Sequence, residues 1–195
     1  RRYVSAAAKA PQSPSSGPEF PNGKNPRGSG GRLPPGPTVT KGTYMRVDYT
    51  TLSKTLHALT EGETDSVALM ATVACEVHHA DDRFDWTGFY RVTDPELLKI
   101  GPYQGGHGCL VIPFARGVCG AAARTGETQL VEDVDAFPGH IACASSTRSE
   151  IVLPVWDGKG ELLGVFDIDS NQPAAFDQTD ADALAVILKS VFANV

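Results

Sequence analysis

The chain has 195 residues, enough for one folded domain and an additional segment, and its composition (41% hydrophobic, 21% charged) is typical of globular proteins. No apolar run approaches the roughly 18 residues of a membrane span, so we expect no membrane insertion. The net charge of −6 disfavours nucleic acid as a partner, because phosphate binding needs clustered Lys and Arg.

Charge is divided unevenly along the chain. Residues 1–44 contain seven of the 17 basic residues and one of the 23 acidic residues, so that residues 45–195 carry a net charge of −12. The first segment is rich in Pro, Gly and Ser, and it cannot bury enough apolar surface to offset its ordering entropy. We predict a disordered or artificially added tail, with Met45 at the start of the folded part. An organelle transit peptide is the alternative, although the Pro and Gly content suits an amphipathic helix poorly.

Two helices are expected at the beginning of the folded part. Residues 48–61 place leucines at helical spacing, and a second helix begins near Thr64, where Thr64-Asp65 can cap free N–H groups. The second helix has a wide apolar face that contains Cys75. A small cysteine among apolar helical residues is typical of a protein core, so we assign Cys75 no chemistry.

The pattern changes from helical to extended after Asp82. Strands are predicted over residues 84–92, 97–104 and 109–114 because these segments are rich in β-branched, aromatic and other apolar residues. The sequence Thr-Asp-Pro-Glu at 93–96 is typical of a turn. The first two strands are therefore expected to form a hairpin.

A short helix and a long loop are predicted next. Residues 116–127 are rich in Ala and Gly, and Gly126 is a suitable C-cap for a helix there. A brief strand at 128–133 is followed by residues 134–149, which contain a Pro-Gly turn and no regular pattern. Loops of this length within a compact domain are usually functional.

Two apolar strands and a helix complete the chain. The strands cover residues 150–157 and 161–170, and an amphipathic helix follows Phe176-Asp177. This order of elements predicts an α/β (α+β) domain with a largely antiparallel central sheet and helices packed on one face.

The cysteines are too few for a disulfide-stapled secreted scaffold and include no CxxC pair. We expect reduced thiols and a cytoplasmic location. Cys119 lies at a predicted helix start, where free N–H groups can lower a thiol pKa. Cys143 lies in the long loop, three residues after His140, and Cys109 follows a glycine-rich run. Together they indicate redox chemistry.

Three acidic residues interrupt apolar strands. Asp167 and Asp169 are two residues apart on one strand, so their side chains point to the same face, and Glu150 opens the preceding strand. They would either face solvent or bind a cation in a cleft, such as an ammonium group or a metal. The candidate zinc ligands are His107, Cys109, His140 and Cys143. Their spacing is unlike that of common zinc sites, and we expect no metal.

Five ordered blocks of the sequence form a specific pattern. They are WTGFY (86–90), GPYQG (101–105), IPFARGVCG (112–120), VEDVDAFPGHIACASSTRSEIVLP (131–154) and GVFDIDS (164–170). These blocks resemble the free methionine-(R)-sulfoxide reductases, a family of GAF domains. The resemblance covers about residues 50–195 and implies a single GAF domain over residues 45–195. It also implies thiol-dependent reduction of free L-methionine-(R)-sulfoxide to methionine.

The resemblance implies roles for three cysteines. Cys143 matches the nucleophile, which becomes a sulfenic acid, and Cys109 matches the resolving partner that forms a disulfide with it. Cys119 matches a third cysteine that can take part in recycling. The two lines of reasoning differ here, because the helix-start argument favours Cys119 as the thiol of low pKa.

Substrate contacts and partners are implied by the same resemblance. Glu150, Asp167 and Asp169 match substrate-binding carboxylates, while Trp86 and Tyr90 match an aromatic wall around the methyl-sulfoxide end. Thioredoxin is the implied reductant, a homodimer is the implied assembly, and no cofactor is required. Two alternatives stay open, namely a non-catalytic GAF sensor of a small ligand and a thiol redox sensor.

Overall fold

The computed structural model describes residues 46–141 and 143–195, so the predictions for residues 1–44 and Met45 lie outside the described residues. The described residues form four α-helices: α1 (Tyr49–Leu59), α2 (Ser66–His78), α3 (Gly117–Thr125) and α4 (Gln178–Val191). Six strands are present in this part: β1 (Trp86–Asp94), β2 (Leu97–Gln104), β3 (Val111–Pro113), β4 (Gln129–Val131), β5 (Ser149–Trp156) and β6 (Leu162–Ser170). The predicted order of elements is confirmed, although β3 and β4 are shorter than expected.

The strands form one sheet in the order β3-β2-β1-β6-β5-β4, and every neighbouring pair is antiparallel. The expected hairpin between β1 and β2 closes with Asp94 opposite Leu97. The central strands β1 and β6 pair along most of their length, from Trp86 opposite Asp169 to Arg91 opposite Gly164. The predicted mixed α/β class and the antiparallel sheet are confirmed.

One face of the sheet forms the larger hydrophobic core. Phe89 and Phe166 pack against each other with ring centroids 4.6 Å apart, and Phe192, just after α4, contacts Phe89. Leu56 of α1 and Val73 of α2 are fully buried in the same cluster. Helices α1, α2 and α4 therefore cover this face, as expected from their apolar stripes.

Helix α3 differs from the expectation that the helices lie on one face. It packs on the opposite face, where Val118 and Ala122 form a second buried cluster with Tyr90, Val152 and Val165. Its small residues allow a close approach, since a Cβ at position 120 of this helix would lie 2.6 Å from the Pro113 carbonyl oxygen. The second face is covered only in part, and this leaves room for a cleft beside α3.

The helix ends show why these segments form helices. The Asp65 carboxylate accepts hydrogen bonds from the backbone N–H groups of Val67 and Ala68, which confirms the predicted cap of α2. Gly126 ends α3 in the left-handed conformation with φ of 70°, as predicted.

Among the described helices, none combines the length and the apolar character needed to cross a membrane.

Candidate active site

A cleft opens on the sheet face that α3 covers, between β1, β5, β6 and the loop that precedes β5. Seven of the eight predicted site residues line it: Trp86, Tyr90, Cys119, Cys143, Glu150, Asp167 and Asp169. The eighth, Cys109, is joined to the cleft through a bond to Cys143. The sequence therefore identified residues that share one location, although the eight come from six separate parts of the chain.

Cys109 and Cys143 form a disulfide, with an Sγ–Sγ distance of 2.12 Å and their Cα atoms 5.2 Å apart. Cys143 belongs to the predicted long loop, which begins with a short 3-10 turn at Val134–Ala136. The loop is fixed to the start of α3 by a hydrogen bond from Gly117 N–H to the carbonyl oxygen of Gly139. This anchoring holds Cys143 at the rim of the cleft.

Cys119 is buried in the cleft wall, where it is 4% exposed. Its Sγ lies 3.3 Å from Asp167 Oδ2 and 3.8 Å from Glu150 Oε1. Burial, together with the negative charges of Asp167 and Glu150, raises the pKa of the Cys119 thiol well above its usual range. The prediction of a lowered pKa at a helix start is wrong, because enclosure among carboxylates outweighs the helix end.

The three carboxylates lie on adjacent strands and point to the same face. Asp167 and Asp169 share one face of β6, as predicted, and Glu150 of β5 is the direct cross-strand neighbour of Asp169. Asp167 and Glu150 are 5% and 6% exposed, and Asp169 is half-buried. Asp167 Oδ1 has no hydrogen-bond partner among the described residues.

Crowding of these acids changes their ionisation. Burial raises the pKa of Asp167 to about 7. Burial and the charges of Asp167 and Asp169 raise the pKa of Glu150 well above its usual range. Burial and the charge of Asp167 do the same for the pKa of Asp169. Buried like charges cannot all ionise cheaply, so the cluster holds at least one proton near neutral pH and offers negative charge to a cation.

Aromatic rings form the wall of the cleft on the β1 side. Trp86 stacks between Tyr90 and Tyr103, with ring centroids 5.7 Å and 5.4 Å from its own. The indole N–H of Trp86 donates to the Gly106 carbonyl oxygen at 3.1 Å, which fixes the ring plane. Burial, followed by the charge of Asp167, raises the pKa of Tyr90, so this ring remains a neutral phenol.

Comparison with known proteins places these features in a family. A profile of the GAF domain matches residues 62–191. "Protein YtsP" of Bacillus subtilis is 47% identical over 135 residues, which cover 68% of this chain and 82% of that protein. "Free methionine-R-sulfoxide reductase" of Escherichia coli is 40% identical over 136 residues, which cover 70% of this chain and 81% of that enzyme.

One solved structure is similar to this chain in both sequence and fold. It is the X-ray structure of free methionine-R-sulfoxide reductase from Neisseria meningitidis in complex with its substrate. The two chains are 43% identical with a TM-score of 0.69, and the match covers 75% of this chain and 89% of the other. This chain belongs to the free methionine-R-sulfoxide reductase family. Membership confirms the predicted GAF fold and makes the chain an oxidoreductase.

Two groups of residues in this member of the reductase family bear on metal binding. The zinc ligands considered above include Cys109 and Cys143, which are joined by a disulfide in this structure. Within the described part of the chain, Cys119, Glu150 and Asp167 offer ligand atoms within 4.8 Å of one another and could hold an ion. The same atoms also suit an ammonium group.

Some residues in and around the cleft of this reductase-family chain were missed by sequence reasoning. Thr147 is buried and lines the cleft, while Tyr103 lies outside the cleft lining and stacks on Trp86. Both lie within the blocks that carried the resemblance, GPYQG and the long segment 131–154, so their position in these blocks was an available signal. Neither residue type indicates chemistry by itself.

Gly88 allows the aromatic wall to form, and its replacement should therefore loosen the wall. A Cβ at this position would lie 2.4 Å from Tyr103 Cβ and 2.7 Å from Trp86 Cη2. We expect Gly88→Ala to lower the free energy of unfolding by about 1–3 kcal/mol, measured by denaturant titration. Gly106→Ala is the control, because a Cβ there meets nothing within 4 Å. Equal losses in the two variants would contradict this account of Gly88.

Proposed function

We propose that this chain reduces free L-methionine-(R)-sulfoxide to methionine, with Cys143 as the nucleophile. The observation that carries the proposal is one cleft that combines a disulfide-forming cysteine, buried carboxylates and an aromatic wall. The cysteine supplies electrons, the carboxylates suit the ammonium group of a free amino acid, and the aromatic rings suit the methyl end. The names of the relatives described above support the same reaction.

Substrate binding follows from the charges in the cleft. The amino acid's ammonium group pairs with Glu150, Asp167 and Asp169, and it supplies the missing partner of Asp167 Oδ1. The methyl-sulfoxide end lies against Trp86 and Tyr90. A carboxyl that remains protonated, as the raised pKa values require, is the acid for the sulfoxide oxygen.

The chemical step transfers oxygen from substrate to enzyme. A carboxyl proton passes to the sulfoxide oxygen while the Cys143 thiolate attacks the substrate sulfur. The hydroxyl then passes from the substrate sulfur to Cys143 Sγ as the transient Sγ–S bond breaks, so that methionine leaves and Cys143 becomes a sulfenic acid. The Cys109 thiolate attacks Cys143 Sγ, water leaves, and the disulfide forms. An external dithiol, for which we propose thioredoxin, then reduces the disulfide by exchange.

The carboxylates also account for selection of the free amino acid. A methionine sulfoxide residue within a peptide presents a neutral amide in place of the ammonium group. Buried carboxylate charge would then stay unpaired, at a cost of about 3–5 kcal/mol. That cost corresponds to a discrimination of about a thousandfold, since about 1.4 kcal/mol is a factor of ten.

Three substrates in one assay test the proposal. NADPH oxidation, coupled through thioredoxin reductase and thioredoxin, is followed with free methionine-(R)-sulfoxide, with its S epimer and with the N-acetylated R form. We expect turnover of the free R form and only weak activity on the other two. Equal rates with all three, or no turnover of the free R form, would contradict the proposal.

A thiol redox sensor is the second candidate, since the Cys109–Cys143 disulfide alone would satisfy it. Such a sensor would oxidise with hydrogen peroxide and would not need Glu150 or Asp169. Loss of turnover on replacement of these acids, with unchanged peroxide oxidation, favours the reductase.

The proposal further includes a cytoplasmic location and a homodimer, which fractionation and sedimentation would test.

The disulfide should form during turnover, and it should join Cys109 to Cys143. We expect one equivalent of substrate to convert the reduced enzyme to this form, with Cys75 and Cys119 still open to alkylation after denaturation. Peptide mapping by mass spectrometry provides the measurement. In Cys109→Ser the first equivalent of methionine should still appear, while further turnover with thioredoxin stops. A bridge between Cys143 and Cys119 would instead identify Cys119 as the resolving residue.

A further inference from the structure

We propose that Cys119 is a positioning residue that donates a hydrogen bond to the Asp167 carboxylate and takes no part in disulfide recycling. The proposal rests on the function proposed above and changes the role that the family resemblance implies for this cysteine. It assigns to Cys119 the orientation of Asp167 toward the substrate's ammonium group.

The contact between the two side chains carries the argument. Cys119 Sγ lies 3.3 Å from Asp167 Oδ2, within hydrogen-bond range for sulfur, and both residues are buried. Asp167 Oδ1 has no other partner among the described residues, so it is free to face the ligand. One oxygen of the carboxylate is thus held by the thiol, and the other is presented to the cleft.

The surroundings of Asp167 make this donor important. The groups that face it are Tyr90 of β1, Glu150 of β5, Asp169 of β6 and Cys119 of α3, with the cleft histidines His107 and His140 nearby. Among the described residues, no Lys or Arg lines the cleft. The Cys119 thiol, and after it the protonated carboxyl of Glu150, are therefore the groups that stabilise the ionised form of Asp167 before substrate arrives.

A resolving role fits Cys119 poorly for two reasons. Resolution requires a thiolate, whereas burial and the neighbouring carboxylates raise the pKa of Cys119 and keep it protonated. The helix backbone beside Cys119 is also tightly packed. Gly120, the next residue, approaches β3 so closely that an added Cβ would lie 2.6 Å from the Pro113 carbonyl oxygen. A protonated, confined thiol is suited to donating a hydrogen bond.

Loss of the donor should change the ionisation of Asp167. Burial raises the pKa of this carboxyl to about 7, and the hydrogen bond from Cys119 acts in the opposite direction. Without the thiol the pKa rises further, so less of the carboxylate is ionised at neutral pH. Since ammonium binding uses the ionised form, the acidic limb of the kcat/KM profile should move to higher pH.

The test compares Cys119→Ala with Cys119→Ser in the thioredoxin-coupled assay across pH. We expect the alanine variant to raise KM for free methionine-(R)-sulfoxide about tenfold and to move the acidic limb upward. The serine variant keeps an O–H donor and should restore most of both properties. Cys75→Ser is the matched control, because it removes the other free thiol at a position on α2.

The outcomes separate positioning from recycling and from failure of the proposed function. If Cys119 instead takes part in disulfide recycling, Cys119→Ala and Cys119→Ser would both lose multiple turnover. Their pH profiles and their first turnover would stay unchanged. Alkylation of the wild-type enzyme during turnover needs no variant, and Cys119 found in a disulfide would overturn the proposal even if Cys119→Ala misfolds. Wild-type protein without activity on the sulfoxide would instead refute the proposed function.

Discussion

Cys143→Ser is expected to abolish reduction of free methionine-(R)-sulfoxide, with kcat lowered by about 10³-fold or more. A serine hydroxyl is a far weaker nucleophile than a thiolate and cannot form the sulfenic acid and disulfide that the reaction uses. The position supports this, because Cys143 lies in the anchored loop at the rim of the cleft and is bonded to Cys109. Steady-state and single-turnover assays of methionine formation provide the measurement.

Cys75→Ser is the control for this experiment. Cys75 is a half-buried residue of α2 and lies on a different element from every residue of the cleft. We expect its kcat to stay within about twofold of the wild-type value, since substitutions away from the site act mainly on stability. An active Cys143→Ser enzyme, or an inactive Cys75→Ser enzyme of normal stability, would contradict the assignment of the nucleophile.

Local patterns allowed much of the fold to be predicted. The Asp65 cap, the Gly126 C-cap and the hairpin at 93–96 each depend on a few consecutive residues, and the structure has all three. The common face of Asp167 and Asp169 follows from strand geometry alone. These features could be predicted because the interactions that define them are short in sequence.

Features that depend on distant contacts could not be predicted in this way. The direct pairing of Glu150 with Asp169 requires the register between β5 and β6, which no single strand specifies. The raised pKa of Cys119 results from burial and from carboxylates 31 and 48 residues away along the chain. A helix start viewed alone predicts the opposite shift. The position of α3 on the second face likewise depends on packing against β5 and β6.

The carboxyl groups should determine substrate choice, and isosteric amides remove their ability to ionise beside the ammonium group with little change in shape. We expect Asp169→Asn and Glu150→Gln each to lower kcat/KM for free methionine-(R)-sulfoxide by about 10²-fold, if about 3 kcal/mol of pairing with the ammonium is lost. Both residues line the cleft on neighbouring strands, where burial makes unpaired charge costly. The exposed Glu161→Gln removes the same charge outside the cleft and should have little effect.

The N-acetylated substrate distinguishes recognition of the ammonium from other roles of these acids. Its neutral amide leaves carboxylate charge unpaired in the wild-type enzyme, and the amide variants remove part of that charge. The ratio of kcat/KM for the free amino acid to that for the N-acetyl form should therefore fall in Asp169→Asn and Glu150→Gln, and stay unchanged in Glu161→Gln. If both substrates lose activity in equal proportion, the acids serve proton transfer or folding, because loss of a proton donor would affect the two sulfoxides alike.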